Sequence, residues 1–528
     1  MDKKYALISV NDKTNLINLA QGLSKVGYSI ITTGGTAKEL TSNGLDVIPV
    51  EDITCFPECL DGRLKTLHPN IFGGLLALRD NDGHCNTVKE QGIPLIDVLV
   101  VNLYPFKETI AQTSHNLADA IENIDIGGPA MIRAAAKNYK YTAVVTDIAD
   151  YEELIDRIQK NNLDDAYRYQ LAAKAFSYTA NYDTAIANYL QKGLPERKLF
   201  PNILTLTFNK HSDMRYGENP HQQAAYYVRE CECQSSIENA EILHGKPLSF
   251  NNVADAHAAV SLVREFTNQA VCAAVKHATP CGVALGINSL EAFNGAYECD
   301  PLSIFGGIVA FNCHVDKLTA QKLHEIFLEV IIAPSFCPDA LEILTKKKNL
   351  RLLTLPMNST ESCEGAEDSK NEKVYFEFKS VGGGMLIQES DNNDIGNEDH
   401  SVVTNTVPTE DAIKDLVFAM KVVKHVKSNA IVIAKNGRAI GIGGGEVSRI
   451  QATHDALDQA LKGAKSLNGA VMASDAMIPF PDVINACEEK GIIAVIQPGG
   501  SKNDQTIIDK CNEHGLAMIF TGIRHFRH

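Results

Sequence analysis

LIDVLVVNLY (95–104) is the segment that best indicates the fold class of the first part of this chain. A nearly continuous apolar run is typical of a strand buried on both faces, as strands of parallel sheets are. Segments with helical patterns separate it from further apolar runs. The strands predicted in this way are YALISV (5–10), YSIITT (28–33), LDVIPV (45–50) and YTAVVTD (141–147). This alternation predicts an α/β fold with a parallel sheet covered by helices, and ligands beyond the carboxyl ends of its strands.

The rest of the chain is organised differently. We predict a first domain at 1–148, a helical connector at 149–200, and a region at 201–528 that contains a weak internal repeat. Each copy of the repeat has Val-Lys at a predicted strand end, a return that contains glycine, and then Asp-x4-Phe. The copies are AVKHATPCGVALG (274–286) with DPLSIF (300–305), and HVKSNAIVIAKNGRAIGIGGG (425–445) with DAMIPF (475–480). The repeat predicts two related α/β subdomains, about 201–365 and 366–528.

Composition narrows the class of partner. The formal net charge of −16 argues against nucleic acid as the main partner, because phosphate backbones are bound by basic surfaces. The amino terminus has no apolar leader, and no apolar run reaches the length that crosses a membrane. The thirteen cysteines are scattered without a CxxC motif. We expect a reduced cytoplasmic protein that acts on small molecules.

Two neighbouring segments of the first domain indicate an anion site. TTGGT (32–36) joins a strand to a helix, and its glycines let backbone N–H groups approach an anion. The pattern matches neither GxGxxG nor a Walker A loop. DGRLKTLHP (61–69) adds Arg63, Lys65, Thr66 and His68, although a solvated basic turn is the alternative interpretation.

Further strand-end residues favour the anion site over that alternative. Asn102 and Tyr104 lie in NLYPF, Asp125 lies in DIGGP, and Lys137 follows one helix later. An aspartate, a tyrosine and two lysines around a phosphate-binding loop predict a pocket for proton transfers on an anionic substrate.

Lys276 and His277 are the candidate catalytic pair of the second region. They follow an apolar strand-like run, and Pro280 and Gly282 are expected to turn the backbone after them. An unpaired ammonium is costly to dehydrate, and histidine is the side chain best matched to moving protons near pH 7. On two residues alone, a surface pair at a strand end is an equally good interpretation.

A zinc-dependent deaminase is the alternative at this position. Such enzymes carry H-x-E followed by P-C-x-x-C. Here the histidine lacks the glutamate, and Pro280-Cys281 lacks the second cysteine. The pattern therefore predicts a reaction without a catalytic metal. In the second region, MRYGENPHQ offers Arg215 and Tyr216 before a glycine turn, and SFNN (249–252) supplies amides. Arginine suits a phosphate through its planar fork, but Arg215, Arg449 and Arg524 are individually more typical of surface residues than of ligand contacts.

Many ordered motifs together carry a family resemblance along essentially the whole chain. The chain resembles the bifunctional purine biosynthesis proteins, which join 5-aminoimidazole-4-carboxamide ribonucleotide (AICAR) formyltransferase to IMP cyclohydrolase. The motifs are SVNDKT, TTGGTAKEL, GRLKTLHP, NLYPF, DIGGP, RAAAKN, RYGENPHQ, VKHATPCG, KSNAIV, SDAMIPFPD and a carboxyl-terminal R-x-F-x-H.

The resemblance implies a methylglyoxal-synthase-like first domain that carries the cyclohydrolase. It also implies a duplicated cytidine-deaminase-like region without zinc that carries the transferase, and an intertwined homodimer. The implied donor is 10-formyltetrahydrofolate. His277 would shuttle a proton from the AICAR amine to the leaving folate nitrogen, and Lys276 would stabilise the oxyanion.

The same resemblance assigns the remaining site residues. Lys65, Tyr104, Asp125 and Lys137 would manage protons during ring closure of formyl-AICAR to IMP. The cyclohydrolase nucleotide would be held by Ser9, Lys13, Thr33, Gly35, Thr36, Arg63, Thr66, Asn102 and Gly127. AICAR would be held by Arg215, Tyr216, Asn252, Phe305, Glu329, Asn429, Arg449 and Arg524, and Asp482 would contact the pterin.

The sequence departs from the family pattern at a few of these sites. Thr279 stands where asparagine is usual, and Met477 stands where an aromatic residue is usual; methionine can still pack on a ring. Gly444 and Glu446 replace a common Ala and Gln. These departures affect ligand geometry rather than the reaction. A non-catalytic alternative also stays open for the first domain, as a module that senses nucleotides.

Overall fold

The computed structural model describes residues 3–60, 62–112, 114–196, 198–229, 236–357, 366–367, 373–374, 376–393, 401–462 and 466–528. These residues form two compact units, Met1–Thr207 and Phe208–His528. No helix among the described residues is both long and apolar enough to cross a membrane.

The first unit is built on a parallel sheet with the strand order β3-β2-β1-β4-β5. Its strands are β1 (Lys4–Val10), β2 (Tyr28–Thr32), β3 (Val47–Pro49), β4 (Ile96–Asn102) and β5 (Ala143–Val145). Its helices are α1 (Leu16–Lys25), α2 (Gly34–Ser42), α3 (Val50–Thr54), α4 (Pro69–Leu76), α5 (Asp82–Glu90), α6 (Phe106–Ala111), α7 (Leu117–Glu122), α8 (Gly127–Lys137), α9 (Tyr151–Gln159) and α10 (Asp165–Lys192).

The apolar runs of the sequence explain this sheet. Residues Val98–Val101 of β4 are at most 1% exposed, so this strand is buried on both faces as LIDVLVVNLY predicts. It pairs in parallel with β1 on one side and with β5 on the other. All the strands run the same way, so their carboxyl ends meet at one edge. The long helix α10 packs on α8 and β5, and its Tyr167, Leu171 and Ala175 belong to the same core.

The second unit contains a mixed sheet of twelve strands and three small two-stranded ribbons. Its strands are β6 (Asn209–Met214), β7 (Ala224–Val228), β8 (Glu241–His244), β9 (Ala270–Lys276), β10 (Thr279–Gly286), β11 (Ile308–Phe311), β12 (Val330–Ala333), β13 (Arg351–Thr354), β14 (Ala366–Glu367), β15 (Lys373–Val374), β16 (Phe376–Val381), β17 (Gly384–Glu389), β18 (Ser401–Val402), β19 (Ile431–Lys435), β20 (Arg438–Gly443), β21 (Ala470–Ser474), β22 (Ile492–Gln497) and β23 (Ala517–Phe520). Its helices are α11 (Phe250–Val263), α12 (Ser289–Cys299), α13 (Lys317–Glu325), α14 (Pro338–Leu344), α15 (Glu410–Val423), α16 (Arg449–Lys462), α17 (Asp482–Glu489) and α18 (Asp504–His514).

The large sheet is duplicated. Its order is β18-β23-β22-β21-β19-β20-β10-β9-β11-β12-β13-β8, and β10 and β20 pair antiparallel at the centre. The halves are related by an approximate two-fold axis between those strands, because each reads hairpin, helix, and then three strands joined by helices. Helices α11 and α15 contribute to one core cluster, and α12–α14 and α16–α18 line two others. The predicted pair of related α/β subdomains is therefore present.

The correspondence between the halves differs from the predicted one. Lys276 ends β9, and its structural counterpart is Lys435 at the end of β19. Lys427, which the sequence repeat aligns with Lys276, precedes β19. The Asp-x4-Phe segments also differ, since Asp300 precedes β11 whereas Asp475 follows β21. The Val-Lys and Asp-x4-Phe similarities therefore do not join equivalent positions. The two-fold axis preserves the order of the elements and not the spacing of short motifs.

Candidate active sites

Polar side chains join the carboxyl ends of the strands in the first unit. The hydroxyls of Ser9 and Thr33 lie 2.9 Å apart, between the ends of β1 and β2. The Thr36 hydroxyl accepts from Val10 N (3.2 Å) and donates to Val10 O (3.1 Å). Asn102 at the end of β4 accepts from Asp12 N at 3.0 Å and donates to Asp12 O at 3.0 Å. These bonds hold the ends of β1, β2 and β4 together next to the start of α2.

The TTGGT segment forms the predicted strand-to-helix turn. Helix α2 begins at Gly34, which has φ of 26°, and Thr33 precedes it in extended conformation. A Cβ placed on Gly34 or Gly35 would meet no atom within 4 Å, so both glycines face open space. The first N–H groups of a helix have no partner within the helix, which suits this turn to an anion.

Asp125 is the ionisable centre of this site. Its carboxylate accepts from Gly128 N at 2.8 Å, and its own N–H donates to the Tyr182 hydroxyl at 2.8 Å. Burial raises the pKa of Asp125 above its usual value, while the Gly128 N–H and the Lys65 ammonium lower it by less. Burial also raises the pKa of Tyr182 to about 12, so its hydroxyl keeps the proton that it donates to Asn123 O. A carboxylate with a raised pKa is suited to accepting a proton.

Lys65, Thr66 and Tyr104 surround Asp125. The Lys65 ammonium lies 3.4 Å from the Tyr104 hydroxyl. A Cβ on Gly127 would lie 2.7 Å from the Thr66 hydroxyl oxygen, so glycine is required for this close approach. The structure therefore brings together Lys65, Thr66, Tyr104, Asp125 and Gly127.

Three residues predicted for this site do not join the cluster around Asp125. Arg63 forms an ion pair with Glu122, and both side chains are exposed. Lys13 is exposed in the loop after β1. Lys137 ends α8 whereas Gly127 begins it, which places Lys137 roughly 15 Å along the helix axis from the Asp125 site. A single first unit does not bring Lys137 to Asp125.

In the second unit, Lys276 and His277 lie at the tip of a two-residue hairpin. Lys276 pairs with Thr279, and the turn consists of His277 and Ala278, each with φ of 55°. The expected turn at Pro280 and Gly282 is wrong, because both lie within β10. The Asp255 carboxylate accepts from His277 N (3.3 Å) and from Ala278 N (2.7 Å). Each non-glycine residue in this left-handed region costs about 1–2 kcal/mol, and the two hydrogen bonds offset that cost.

A network of polar side chains lies beside the hairpin. The Lys276 ammonium donates to Phe305 O at 3.0 Å. Asn252, near the start of α11, is buried and donates to the Glu329 carboxylate at 2.8 Å. Glu329 in turn lies 3.7 Å from the guanidinium of Arg351. The Phe305 ring is 59% exposed and packs against Phe327, so it offers an apolar face next to Lys276.

Arg449 and Asn429 form a second cluster. Arg449 Nη1 lies 2.5 Å from Asp475 Oδ1, and its Nη2 donates to Asn429 Oδ1 at 2.8 Å. Asp475 is fully buried, and its carboxylate also accepts from the Ser428 hydroxyl (2.5 Å) and from Ala430 N (3.1 Å). Arg449 is therefore anchored within the protein rather than extended towards solvent.

Of the remaining predicted residues, Arg215, Arg524 and Asp482 are exposed and Tyr216 is half-buried. Arg524 lies in the carboxyl-terminal segment with its guanidinium 4.4 Å from the Phe526 ring. Asp482 begins α17, and Met477 is 44% exposed in the segment before it. Arg215 directly follows β6 in a separate ribbon, with its guanidinium 5.5 Å from the Tyr216 ring.

The direction of the strands brings two clusters to one edge of the large sheet: the one beside the Lys276 hairpin and the one formed by Arg449 and Asn429. β9 runs towards this edge and ends at Lys276, whereas β11 and β12 run away from it and begin near Phe305 and Glu329. β19 also begins here, next to Asn429, and Ser474 at the end of β21 pairs with Ile431. We call this the Lys276 edge. Three strand spacings separate β9 from β19, or about 14 Å, so one extended ligand can touch both clusters.

Sequence reasoning missed two carboxylates at this edge. Asp475 lies within the quoted SDAMIPFPD motif, and an acidic residue directly after a buried strand was the available signal. Asp255 has no local signal, since it lies 22 residues from the turn that it contacts. Among the described residues, no group of three or more His, Cys, Asp or Glu side chains is arranged to hold a metal ion.

Comparison with known proteins identifies the family of this chain. The model of the AICARFT/IMPCHase bienzyme family matches residues 135–459, and the model of the MGS-like domain matches residues 15–130. The chain is 52% identical over 527 residues to "Bifunctional purine biosynthesis protein PurH" of Bacillus cytotoxicus, which covers 100% of both chains. It is 53% identical to the protein of that name from Thermoanaerobacter sp., over 99% of this chain and 100% of the relative. A solved structure described as "Crystal structure of ForH" matches 35% of this chain and 96% of its own at 33% identity, with a TM-score of 0.33, which is too low to bear on the fold.

Proposed function

The chain belongs to the AICARFT/IMPCHase bienzyme family, and on that premise we propose how its residues divide the work. It is a bifunctional enzyme of purine biosynthesis with AICAR formyltransferase and IMP cyclohydrolase activities. We assign ring closure to the domain at 1–148 and formyl transfer to the region at 201–528. The helices of 149–200, proposed as a connector, pack into the core of the first unit. This family transfers a formyl group, so we assign no hydrolytic deaminase activity to the chain.

Formyl transfer is assigned to the Lys276 edge, with 10-formyltetrahydrofolate as the donor. The AICAR amine is a poor nucleophile because its lone pair is delocalised into the imidazole and carboxamide. His277 removes a proton from this amine and returns one to the departing folate nitrogen. Lys276 stabilises the oxyanion on the formyl carbon. The position of His277 at an exposed hairpin tip, beside an ammonium held by Phe305 O, supports both roles.

The AICAR and folate contacts complete this site. The Asn252–Glu329 hydrogen bond and the Arg449–Asn429 hydrogen bond support roles in orienting AICAR for those four residues. Phe305 offers a ring face to the substrate. Arg215, Tyr216 and Arg524 are assigned to AICAR, and Asp482 to the pterin.

Ring closure is assigned to the Asp125 site. The carboxamide nitrogen of formyl-AICAR attacks the formyl carbon, and water leaves. Asp125 with its raised pKa accepts the proton from that nitrogen, and the Lys65–Tyr104 pair supplies one to the departing oxygen. The nucleotide lies against the start of α2, held by Ser9, Lys13, Thr33, Gly35, Thr36, Arg63, Thr66, Asn102 and Gly127.

A homodimer and a cytoplasmic location complete the proposal. Lys137 lies roughly 15 Å along α8 from the Asp125 site of its own chain, so a second copy is the source that we assign for this lysine. Tyr169 and Phe176 near Lys137 are 62% and 39% exposed, which supports burial against another chain.

The exposed free thiols of Cys55 and Cys85 support a reducing compartment.

One observation carries the assignment of two separate sites: the convergence of Asp125, Lys65 and Tyr104 in one unit and of Lys276 and His277 in the other. The test assays both reactions on the same purified variants. Lys65→Ala and Asp125→Asn should abolish ring closure of formyl-AICAR and leave formyl transfer intact. His277→Ala should do the reverse. Normal ring closure in Lys65→Ala would instead favour the nucleotide-sensing module, and normal formyl transfer in His277→Ala would refute the role of His277.

A further inference from the structure

The internal two-fold axis offers a direct comparison for the catalytic hairpin. The second half contains an equivalent two-residue turn at Asn436 and Gly437, between Lys435 and Arg438. Asp415 accepts from Asn436 N and from Gly437 N, both at 2.7 Å. Asp255 and Asp415 each lie six residues after the N-cap of their helix, at Ser249 and Thr409. The same aspartate-to-turn contact is thus present in both halves.

The two turns differ in the residues that adopt the left-handed conformation. Asparagine and glycine enter this region readily, so the turn at 436–437 is favoured by its own sequence. Histidine enters it more often than most side chains, but alanine has no side chain that compensates the cost. His277 and Ala278 nevertheless have φ of 55°, compared with 53° and 67° in the other turn. The catalytic turn therefore depends on its aspartate more than the second turn does.

The His277 ring has no other anchor in the described part of the chain. Lys276 is fixed independently by its place in β9 and by its bond to Phe305 O. The His277 carbonyl accepts from the Thr279 hydroxyl at 3.3 Å, but within the ranges that the structure describes no side chain or backbone group hydrogen-bonds the imidazole. The point from which the ring projects is then set by the backbone of the turn.

We propose that Asp255 is a positioning residue for formyl transfer, which holds His277 in its working position through the backbone N–H groups of residues 277 and 278. This inference rests on the proposed role of His277. Asp255 acts through the turn and exchanges no proton with the substrate. The equivalent Asp415 lies at the opposite edge of the sheet, so it serves the fold alone.

The test compares Asp255→Ala with the matched control Asp415→Ala. A displacement of about 1 Å at a reacting group can cost about 10²-fold in rate, so kcat for formyl transfer should fall by about that factor in Asp255→Ala. KM for AICAR should change little, because the substrate contacts assigned to Asn429 and Arg449 stay in place. Asp415→Ala should lose thermal stability without a comparable loss of kcat. Ring closure on the same samples shows that the first unit remains active.

A second substitution separates positioning from general damage. Ala278→Gly removes the cost of positive φ at one turn residue, so Asp255→Ala/Ala278→Gly should regain part of the lost kcat. Asp255→Asn can accept only one of the two N–H groups and should fall between the parent and Asp255→Ala. Equal losses of kcat in Asp255→Ala and Asp415→Ala, or no recovery with Ala278→Gly, would overturn the inference. A fully active His277→Ala variant would instead overturn the role of His277 itself.

Discussion

Arg449→Met is the substitution that best separates structure from ligand binding at the Lys276 edge. Asp475 is 0% exposed and Arg449 is 8% exposed, and their closest atoms lie 2.5 Å apart. Removing the guanidinium leaves a buried carboxylate whose remaining donors are the Ser428 hydroxyl and Ala430 N. Removing one partner of such a pair costs about 3–5 kcal/mol. This is a large share of the 5–15 kcal/mol by which domains are typically stable.

The assay combines urea unfolding with both enzyme activities. Arg449→Met should lose about 3–5 kcal/mol of unfolding free energy together with formyl transfer, since Asn429 loses its partner as well. Adding Asp475→Asn removes the uncompensated charge, so the double variant should regain most of the stability but not formyl transfer. Ring closure should persist in both variants wherever the protein is folded.

Two outcomes would refute this reasoning. A loss of less than about 1 kcal/mol in Arg449→Met would place the pair in the range of exposed ion pairs, against the burial seen here. Recovery of formyl transfer in the double variant would show that Arg449 serves only to neutralise Asp475 and contributes nothing to AICAR binding.

Two further predictions concern pH. Glu265 accepts from His425 at 2.9 Å and pairs with Lys424 at 3.0 Å, and these partners lower its pKa from 4.5 to about 2 despite its burial. Burial lowers the pKa of His425 itself, so at pH 7 the imidazole is neutral and Lys424 is the charged partner. A lowered carboxylate pKa stabilises the fold above pH 4.5, so Glu265→Gln should cost up to about 3 kcal/mol at pH 7, and urea unfolding should show this difference vanishing as the pH falls to 2. The effect of Asp125 on stability has the opposite sign. Burial raises its pKa, so its ionised form opposes folding above that pKa. Asp125→Asn should therefore unfold at a higher urea concentration than the parent at pH 7 although it cannot close the ring, and an equal or lower midpoint would contradict the raised pKa.

The amino-acid pattern alone predicts the strands of the first sheet and the family to which the chain belongs. The strands of the first sheet follow from apolar runs, because burial on both faces excludes polar residues from a short continuous stretch. The strand-to-helix turn at 32–36 follows from two glycines between an apolar run and a helical pattern. The ordered motifs identified the family. Of the residues that converge on Asp125, Tyr104 lies just beyond a strand end, as predicted, but Asp125 itself follows a helix, so its predicted position at a strand end is wrong.

Contacts between residues that are distant in the sequence depend on how the strands and helices assemble. The local pattern placed the second turn at Pro280 and Gly282, whereas the turn forms at His277 and Ala278 because a carboxylate 22 residues earlier accepts their N–H groups. The partner of Arg449 lies 26 residues away across the end of a strand. Strand direction in a sheet with an internal two-fold axis brings the Lys276 and Arg449 clusters to one edge, and no local spacing encodes that direction. Periodicity reports which face of an element is buried, but contacts between elements depend on how the whole sheet assembles.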